Sequence, residues 1–240
     1  MKLAFYRIYQ LLVMLPLMLA LTTLTALVAG LGCIVFGGRS WFAYRPAMLW
    51  SRAMCWLTLV RVEVRGREHI SGGSSYVFVA NHQGAYDIFS IYGWLGHNFR
   101  WMMKQSLERI PLVGWACKRT GQVFVDSRTP AAIRRTMKAA ESRLAGGLSL
   151  VVFPEGARTF TGQVGRFKRG AYTLATEFGL PVVPVTIDGS FAVMPRTTLI
   201  PRYGRIVLTI HEPIPADDAD LIDRSREAIV SALQKLDQLD

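Results

Sequence analysis

The stretch YVFVANHQGAYD, from Tyr76 to Asp87, decides the fold. Its first five residues form an apolar run of strand length, and a loop and a helix-like segment follow. In open α/β folds such a loop lies at the carboxyl edge of the sheet, where ligands bind. If His82 precedes the helix and Asp87 lies in its first turn, the carboxylate can reach back to the ring. The pair would then be a proton acceptor and its orienting group, although a loop histidine beside a helix-capping aspartate fits the same spacing.

Apolar runs of strand length alternate with helical patterns on both sides of this stretch. Thr129 and Pro130 indicate a helix start, with an N-cap followed by proline, and Gly146 with Gly147 indicates its end. Alternation of this kind predicts the α/β class, with a mostly parallel sheet flanked by helices on both faces. The predicted strands are 61–66, 74–80, 99–107, 122–126, 148–156, 181–187 and 205–210, and the predicted helices are 87–95, 110–121, 130–146, 168–178 and 217–236.

The N-terminal region is apolar over a membrane-spanning length. No charged side chain occurs from Ile8 to Gly38, and a continuous helix of this size would be roughly 45 Å long, against roughly 30 Å for a hydrocarbon core. We therefore expect a break at Pro16 or within 30–38. A cleaved secretory signal would have a shorter apolar region and a small-x-small site, and Gly30 weakens a lipoprotein signal at Cys33. The segment is expected to remain attached.

The next segment, 39–62, mixes tryptophan with arginine, which suits the headgroup layer of a membrane. We predict a helix over 46–60 that lies in the interface or crosses back partway, and a buried helix of a soluble domain is the alternative. The expected division is therefore residues 1–60 as N-terminal membrane-associated helices and residues 61–240 as a catalytic domain.

A formal charge of +11 favours anionic partners, namely phospholipid headgroups, phosphorylated substrates or nucleic acid. The apolar leader makes membrane lipid the preferred partner, and no nucleic acid is expected because the aromatic residues gather near the leader rather than on a basic face. The three cysteines have no metal-ligand spacing, so we expect no metal and reduced thiols, consistent with a catalytic face in the cytosol. His97 and His211 lack a carboxylate at matching spacing and are predicted to be structural or surface residues.

Three strand-to-loop exits, VANHQGAYD, VFVDSR and VVFPEGART, can converge on one edge of the sheet. They supply a histidine base, carboxylates at Asp87 and Glu155, and cations at Arg128 and Arg158, a set that suits a nucleophilic hydroxyl on an anionic molecule. There is no G-x-S-x-G elbow, P-loop or dinucleotide fingerprint. The sequence therefore predicts direct group transfer without a bound cofactor.

These motifs resemble those of a known enzyme family. NHQGAYD is similar to the N-H-x-x-x-x-D motif of the glycerophospholipid acyltransferases, FPEGART to their F-P-E-G-T-R motif, and VVPVTI to their later proline-containing strand. KQSLERIPLVG and FKRGA resemble the 1-acylglycerol-3-phosphate (lysophosphatidic acid) acyltransferases in particular, and the resemblance covers about 62–213. One motif departs from the pattern, because Ser127 intervenes and Arg128 follows Phe124 one position late.

The resemblance implies that His82 is the general base for the acceptor hydroxyl and that Asp87 orients it. It also implies that Glu155 and Arg158 bind the glycerol phosphate, with positive charge added by Arg128 and Lys104. Backbone amides of 83–85 are expected to stabilise the oxyanion. The acyl donor would be an acyl-CoA or an acyl carrier protein.

The implied activity is transfer of an acyl group to the 2-hydroxyl of lysophosphatidic acid, which gives phosphatidic acid, at the cytoplasmic face of the cell inner membrane. Two alternatives stay open. The acceptor could be another lyso-lipid, such as a lyso-ornithine lipid or lysophosphatidylcholine, or the protein could be a non-catalytic lipid-binding module.

Overall fold

The computed structural model describes residues 2–126, 128–144 and 147–237. Within these ranges the chain forms a seven-stranded sheet with helices on both of its faces. The strands are β1 (Val60–Arg65), β2 (Val77–Ala80), β3 (Phe99–Lys104), β4 (Val123–Val125), β5 (Ser149–Val152), β6 (Val182–Asp188) and β7 (Gly204–Ile210). The α-helices are α1 (Lys2–Tyr9), α2 (Leu15–Phe36), α3 (Arg45–Leu57), α4 (Tyr86–Trp94), α5 (Val113–Arg119), α6 (Pro130–Leu144), α7 (Gly170–Glu177), α8 (Ser190–Val193) and α9 (Leu221–Asp237).

The strands lie in the order β1-β7-β6-β2-β5-β3-β4. All neighbouring pairs are parallel except β6 and β7, which are antiparallel, so the predicted mostly parallel α/β sheet is confirmed. The reason for the antiparallel pair lies in the connection from Asp188 to Gly204, whose only helix is the four-residue α8. Without a crossover helix to carry the chain back across the sheet, the next strand pairs antiparallel.

Strand β2 is buried on both faces. Val77 and Val79 belong to the core on one face, with α7 and α9, whereas Phe78 and Ala80 belong to the core on the other face, with α3 and α4. Alternate residues of a strand point to opposite faces, so a strand covered on both sides needs apolar residues at every position. The unbroken apolar run before the histidine loop is thereby explained.

The N-terminal region is helical from Lys2 to Phe36 and includes one π-helical turn at Gln10–Met14. Pro16 does not end the helix. Proline lacks the N–H that would bond the preceding turn, and the wider π turn just before it accommodates this loss. The helix ends instead before Gly37, whose φ of 86° is readily adopted only by glycine, and this agrees with the alternative that placed the break within 30–38.

One side of this N-terminal helix packs against the rest of the protein. The amide Nε2 of buried Gln10 donates to the carbonyl of Pro201 at 2.7 Å, and the hydroxyl of Tyr9 donates to the carbonyl of Leu57 at 2.8 Å. Further along, Gly30 lies directly against the ring of Trp115 in α5. The other side is exposed leucine, valine and isoleucine, and the segment is long and apolar enough to cross a membrane. These features support membrane association.

Helix α3 is two-sided. Met48, Met54 and Cys55 are buried, largely against α4, whereas Leu49 and Trp56 are more than half exposed. The helix therefore combines the packed side expected of a buried helix with the apolar exposed side expected of an interfacial one. It ends just before β1, where the sequence placed the boundary at residue 60, and the division into 1–60 and 61–240 stays a prediction.

Candidate active site

Three loops meet at the carboxyl edge of the sheet because β2 lies between β5 and β6 and is parallel to both. The loop after β2 carries residues 81–85, the loop after β5 carries 153–169, and α8 follows β6 directly. Side chains at the start of each loop are therefore neighbours, although they are far apart in sequence.

His82 and Asp87 form the pair that the sequence predicted. Ring atom Nδ1 of His82 lies 2.8 Å from Oδ2 of Asp87, which is fully buried in the first turn of α4. Because Oδ2 also accepts two backbone N–H groups, it acts as the acceptor and Nδ1 of the neutral ring carries the hydrogen. The other ring nitrogen, Nε2, then has a free lone pair that can take a proton from a hydroxyl.

The carboxylate of Asp87 also organises the loop that leads to it. Its Oδ2 accepts from the backbone N–H of Gln83 at 2.7 Å and of Gly84 at 2.8 Å, and the N–H of Ala85 donates to the carbonyl of Met194 at 3.1 Å. All three amides of 83–85 are therefore engaged. The expectation that they stabilise an oxyanion is wrong, because an N–H that already donates to a buried carboxylate or carbonyl is not aimed at a substrate.

Two residues that the sequence reasoning did not single out position the pair. The hydroxyl of Ser190, at the start of α8, donates to Oδ1 of Asp87. The ring of Phe153 stacks on the imidazole of His82, with 3.9 Å between centroids and 7° between planes. Phe153 could have been identified from the FPEG motif, whereas Ser190 has no sequence signal beyond its place after a strand. The side chain of His82 is only 14% exposed, because one face of the ring is covered by Phe153 and Nδ1 lies against Asp87.

Glu155 connects two of the loops. Its Oε1 accepts from the backbone N–H of His82 at 2.7 Å, and its Oε2 accepts from that of Gly165 at 2.7 Å. Burial raises the pKa of Glu155, although these two backbone donors lower it again in part. The contacts are those of a brace beneath the histidine, and the role of Glu155 in binding an acceptor stays a prediction.

Arg158 lies on the same loop and is partly exposed. Its carbonyl accepts from Nη1 of Arg196 at 3.3 Å, and the guanidinium of Arg196 lies 4.3 Å from the ring centroid of Phe160. Arg196 was not among the sequence-predicted residues, and nothing in the pattern PRTT marks it. The structure thus places the guanidinium of Arg196 against the backbone of the loop that carries Arg158.

Lys104 and Arg128 lie further along the same edge, at the ends of β3 and β4, and both are exposed. Two strands, β5 and β3, separate β4 from the strand that leads to His82. Arg128 makes a two-point ion pair with Asp126, at 2.9 and 2.8 Å, which lowers the pKa of Asp126 to about 2. The structure therefore brings His82, Asp87 and Glu155 into contact and keeps these two cations apart from them.

Comparison with known proteins agrees with the motifs. The sequence model of the acyltransferase family matches residues 61–188. Among curated relatives, the 1-acyl-sn-glycerol-3-phosphate acyltransferase BAT2, chloroplastic, of Brassica napus is 32% identical over 195 residues, which are 80% of this chain and 56% of that protein. The human 1-acyl-sn-glycerol-3-phosphate acyltransferase alpha is 30% identical over 184 residues, which are 74% of this chain and 65% of that protein.

The fold has a solved counterpart. The crystal structure of the 1-acyl-sn-glycerophosphate (LPA) acyltransferase PlsC from Thermotoga maritima superposes with a TM-score of 0.74 at 26% identity, covering 91% of this chain and 95% of that one. The chain spans about half the length of the plant and algal relatives that it matches. More than half of its residues match the family model, and the motif histidine and aspartate are in contact. The chain therefore belongs to the acyltransferase family.

Proposed function

We propose that this protein moves a fatty acyl group from an acyl thioester to the 2-hydroxyl of lysophosphatidic acid and so makes phosphatidic acid. The observation that carries the proposal is the imidazole of His82, which is held by Asp87 and Phe153 with its Nε2 free of hydrogen-bond partners among the described residues. A histidine fixed in this tautomer is suited to activating a hydroxyl. The named relatives support lysophosphatidic acid as the acceptor.

The reaction is direct transfer. Nε2 of His82 takes the proton of the acceptor hydroxyl while the oxygen attacks the thioester carbonyl. The bond between the hydroxyl oxygen and the carbonyl carbon forms and the carbon–sulfur bond breaks. His82 returns the proton to the sulfur, which leaves as a thiol. Asp87 stabilises the imidazolium between these two steps, because its carboxylate lies against Nδ1 throughout.

The phosphate of the acceptor needs cations on the same edge. Of the three predicted cations, Arg158 lies nearest in sequence to Glu155. We propose that it binds the phosphate, with help from Arg128 and Lys104. Arg128 would have to exchange the carboxylate of Asp126 for the phosphate. We propose that Glu155 contributes to binding the same glycerol phosphate, at its glycerol part, because a carboxylate repels phosphate oxygens at close range. Its Oε1 also holds the backbone N–H of His82.

The donor is proposed to be acyl-CoA or an acyl carrier protein, and the site needs no bound cofactor or metal. The proposed location is the cytoplasmic face of the cell inner membrane. The apolar outer side of the N-terminal helix supports a membrane location. The three free cysteines support a reducing compartment for the catalytic domain.

The test is an acyl-transfer assay with the full chain in detergent micelles or vesicles. Lysophosphatidic acid, lysophosphatidylcholine and a lyso-ornithine lipid are each offered with acyl-CoA and with acyl carrier protein. We expect transfer to lysophosphatidic acid, and a loss of about 10²-fold to 10⁴-fold in His82→Ala. Binding of lysophosphatidic acid without turnover by the wild type would favour the lipid-binding module instead. Preferential turnover of another lyso-lipid would replace the acceptor but keep the chemistry.

A further inference from the structure

A cluster of basic side chains surrounds a small pocket at the edge of the sheet opposite to His82. We call it the basic pocket. It is lined by Gly38, Arg39, Arg100, Lys118, Arg119, Gly121, Ser142, Arg143 and Leu148 and has a volume of about 220 Å³. Five of the nine lining residues carry a positive charge, and none is a carboxylate. The predicted reaction uses none of these residues.

The basic pocket lies at the amino edge of the sheet, whereas His82 lies at the carboxyl edge. Gly121 and Leu148 come just before β4 and β5, and Arg100 is the second residue of β3. Arg100 is in register with Leu150 of β5, which is in register with Val77 at the start of β2. The three further residues to the end of β2 span about 10 Å, and the loop to His82 lies beyond them. The pocket is thus separate from the candidate active site.

Arg100 is the unusual member, because its side chain is completely buried. Its guanidinium donates to three acceptors, namely Oδ1 of Asn98 at 2.9 Å, the carbonyl of Phe99 at 2.8 Å and the carbonyl of Gly38 at 3.0 Å. A guanidinium has five N–H donors, so two remain. Its buried Nε has no partner among the described residues. Because no part of Arg100 is exposed, an anion in the pocket would offset this buried charge through space rather than by bonding to Nε.

Neighbouring positive charges make a negative charge beside Arg100 more favourable still. Burial lowers the pKa of Arg100, and the guanidinium of Arg143 lowers it further. Arg143 is held at the pocket by its Nε, which donates to the carbonyl of Gly121 at 2.9 Å. The only carboxylate paired with a lining residue in the described structure is that of Glu108, which contacts the exposed Lys118 at 3.1 Å. Like charges are therefore gathered here with little compensation.

We propose that the basic pocket binds a phosphate group. Arginine side chains bind phosphate oxygens with charge-assisted hydrogen bonds, and besides buried Arg100 the lining offers three arginines that are at least partly exposed, Arg39, Arg119 and Arg143. The volume is below the roughly 300–1,000 Å³ that drug-sized ligands fill, so the pocket suits one phosphate rather than a whole nucleotide. Gly38 and Arg39 follow the end of the N-terminal helix directly. The phosphate can therefore come from the headgroup of an anionic phospholipid or from a soluble ion.

The first arm of the test uses inorganic phosphate. The unfolding temperature of the full chain in a neutral detergent is measured against phosphate concentration, with chloride at matched ionic strength as the reference. We expect a phosphate-specific rise, and at least a tenfold higher half-saturating concentration in the double variant Arg39→Gln/Arg143→Gln. The matched control is Arg134→Gln/Lys138→Gln, which removes the same charge from exposed positions of α6 outside the pocket. Arg100→Lys serves as a second pocket variant that keeps the buried charge.

The second arm uses vesicles of phosphatidylcholine with and without phosphatidylglycerol. If a lipid headgroup is the source, Arg39→Gln/Arg143→Gln loses several-fold more binding to the anionic vesicles than the control pair does. If soluble phosphate is the source, the two double variants lose equal amounts of vesicle binding, and only the phosphate titration of the first arm distinguishes them. The proposal is overturned if the two pairs behave alike in both arms. These readouts measure binding, so they stand apart from any result on acyl transfer.

Discussion

The hydroxyl of Ser190 donates to Oδ1 of Asp87 across 103 positions of sequence. The carboxylate of Asp87 thereby accepts four hydrogen bonds, one from the ring of His82, two from backbone N–H groups and one from this hydroxyl. The orientation of the imidazole consequently depends on a residue outside all of the recognised motifs. It reaches the site because α8 follows β6, the neighbour of β2.

Replacing Ser190 tests this relationship. In Ser190→Ala, Oδ1 of Asp87 loses its hydroxyl donor. Leaving a buried acceptor without its donor costs about 1–3 kcal/mol of free energy. We expect kcat to fall by about tenfold or more while KM stays nearly constant, because the hydroxyl acts through Asp87 and not on the substrate. Ser190→Thr, which keeps the hydroxyl, should restore most of the rate. A rise in KM with an unchanged kcat would contradict the positioning role.

Asp87→Asn tests the tautomer. The amide has one acceptor oxygen where the carboxylate has two, and its NH₂ group cannot accept from Nδ1 of His82. We expect kcat to fall by about 10²-fold to 10⁴-fold, close to the loss in His82→Ala, and the double variant to lose little more. Glu177→Gln, at the exposed end of α7, is the control for removing a carboxylate outside the site. Additive losses in the double variant would show that the two residues do not act as a unit.

Gly84 is required by a close approach of two backbones. A Cβ at this position would collide with the carbonyl oxygen of Ser190 and lie 3.0 Å from that of Met194, neither of which belongs to a flexible side chain. We expect Gly84→Ala to destabilise the protein by about 1–3 kcal/mol and to lower acyl transfer, measured by denaturant unfolding and by the assay. Gly72→Ala is the matched control, since a Cβ there meets nothing within 4 Å. Equal stability of the two variants would refute the steric argument.

His211 gives the fold a predictable acid sensitivity. Burial, with a smaller contribution from His69, lowers the pKa of His211 to about 4, and its Nε2 lies 2.7 Å from the hydroxyl of Thr186. The unfolded chain binds the proton near pH 6.5 and the folded chain only near pH 4, so the free energy of unfolding should fall as the pH drops through this window. His211→Gln should flatten the slope between these values. An unchanged slope would show that other groups cause it.

Sequence periodicity predicted the main strands and helices, because these depend on local spacing. The spacing of His82 and Asp87 left two interpretations open, and the motif resemblance favoured the pair that the structure shows. The run of apolar residues in β2 marks two-sided burial, and Thr129 caps α6 as predicted, with its Oγ1 accepting from the N–H of Ala132 at 3.1 Å. His97 and His211 are structural, as expected, and bond to Ser149 and Thr186.

The contacts that could not be predicted depend on tertiary register. Ser190 and Arg196 enter the site only because β6 lies beside β2, and no spacing within their own segment records this. Pro16 was ambiguous because a π turn, which has no sequence signature, removes its helix-breaking effect. The antiparallel pairing of β7 follows from the short connection after β6, whose consequence becomes clear only when the strand order is known. No feature of the sequence around Arg100 indicates that its side chain is buried.

The bond between Gln10 and Pro201, together with the contact of Gly30 on Trp115, fastens the apolar helix at two points more than four helical turns apart. A helix held at two such points cannot change its angle relative to the rest of the protein. An apolar surface that accepts the exposed side of this helix will therefore meet the rest of the protein in one orientation, with His82 at a constant depth and angle. If the proposed acyl transfer takes place there, its rate would depend on how densely acceptor molecules populate that surface, rather than on how often the protein happens to face it.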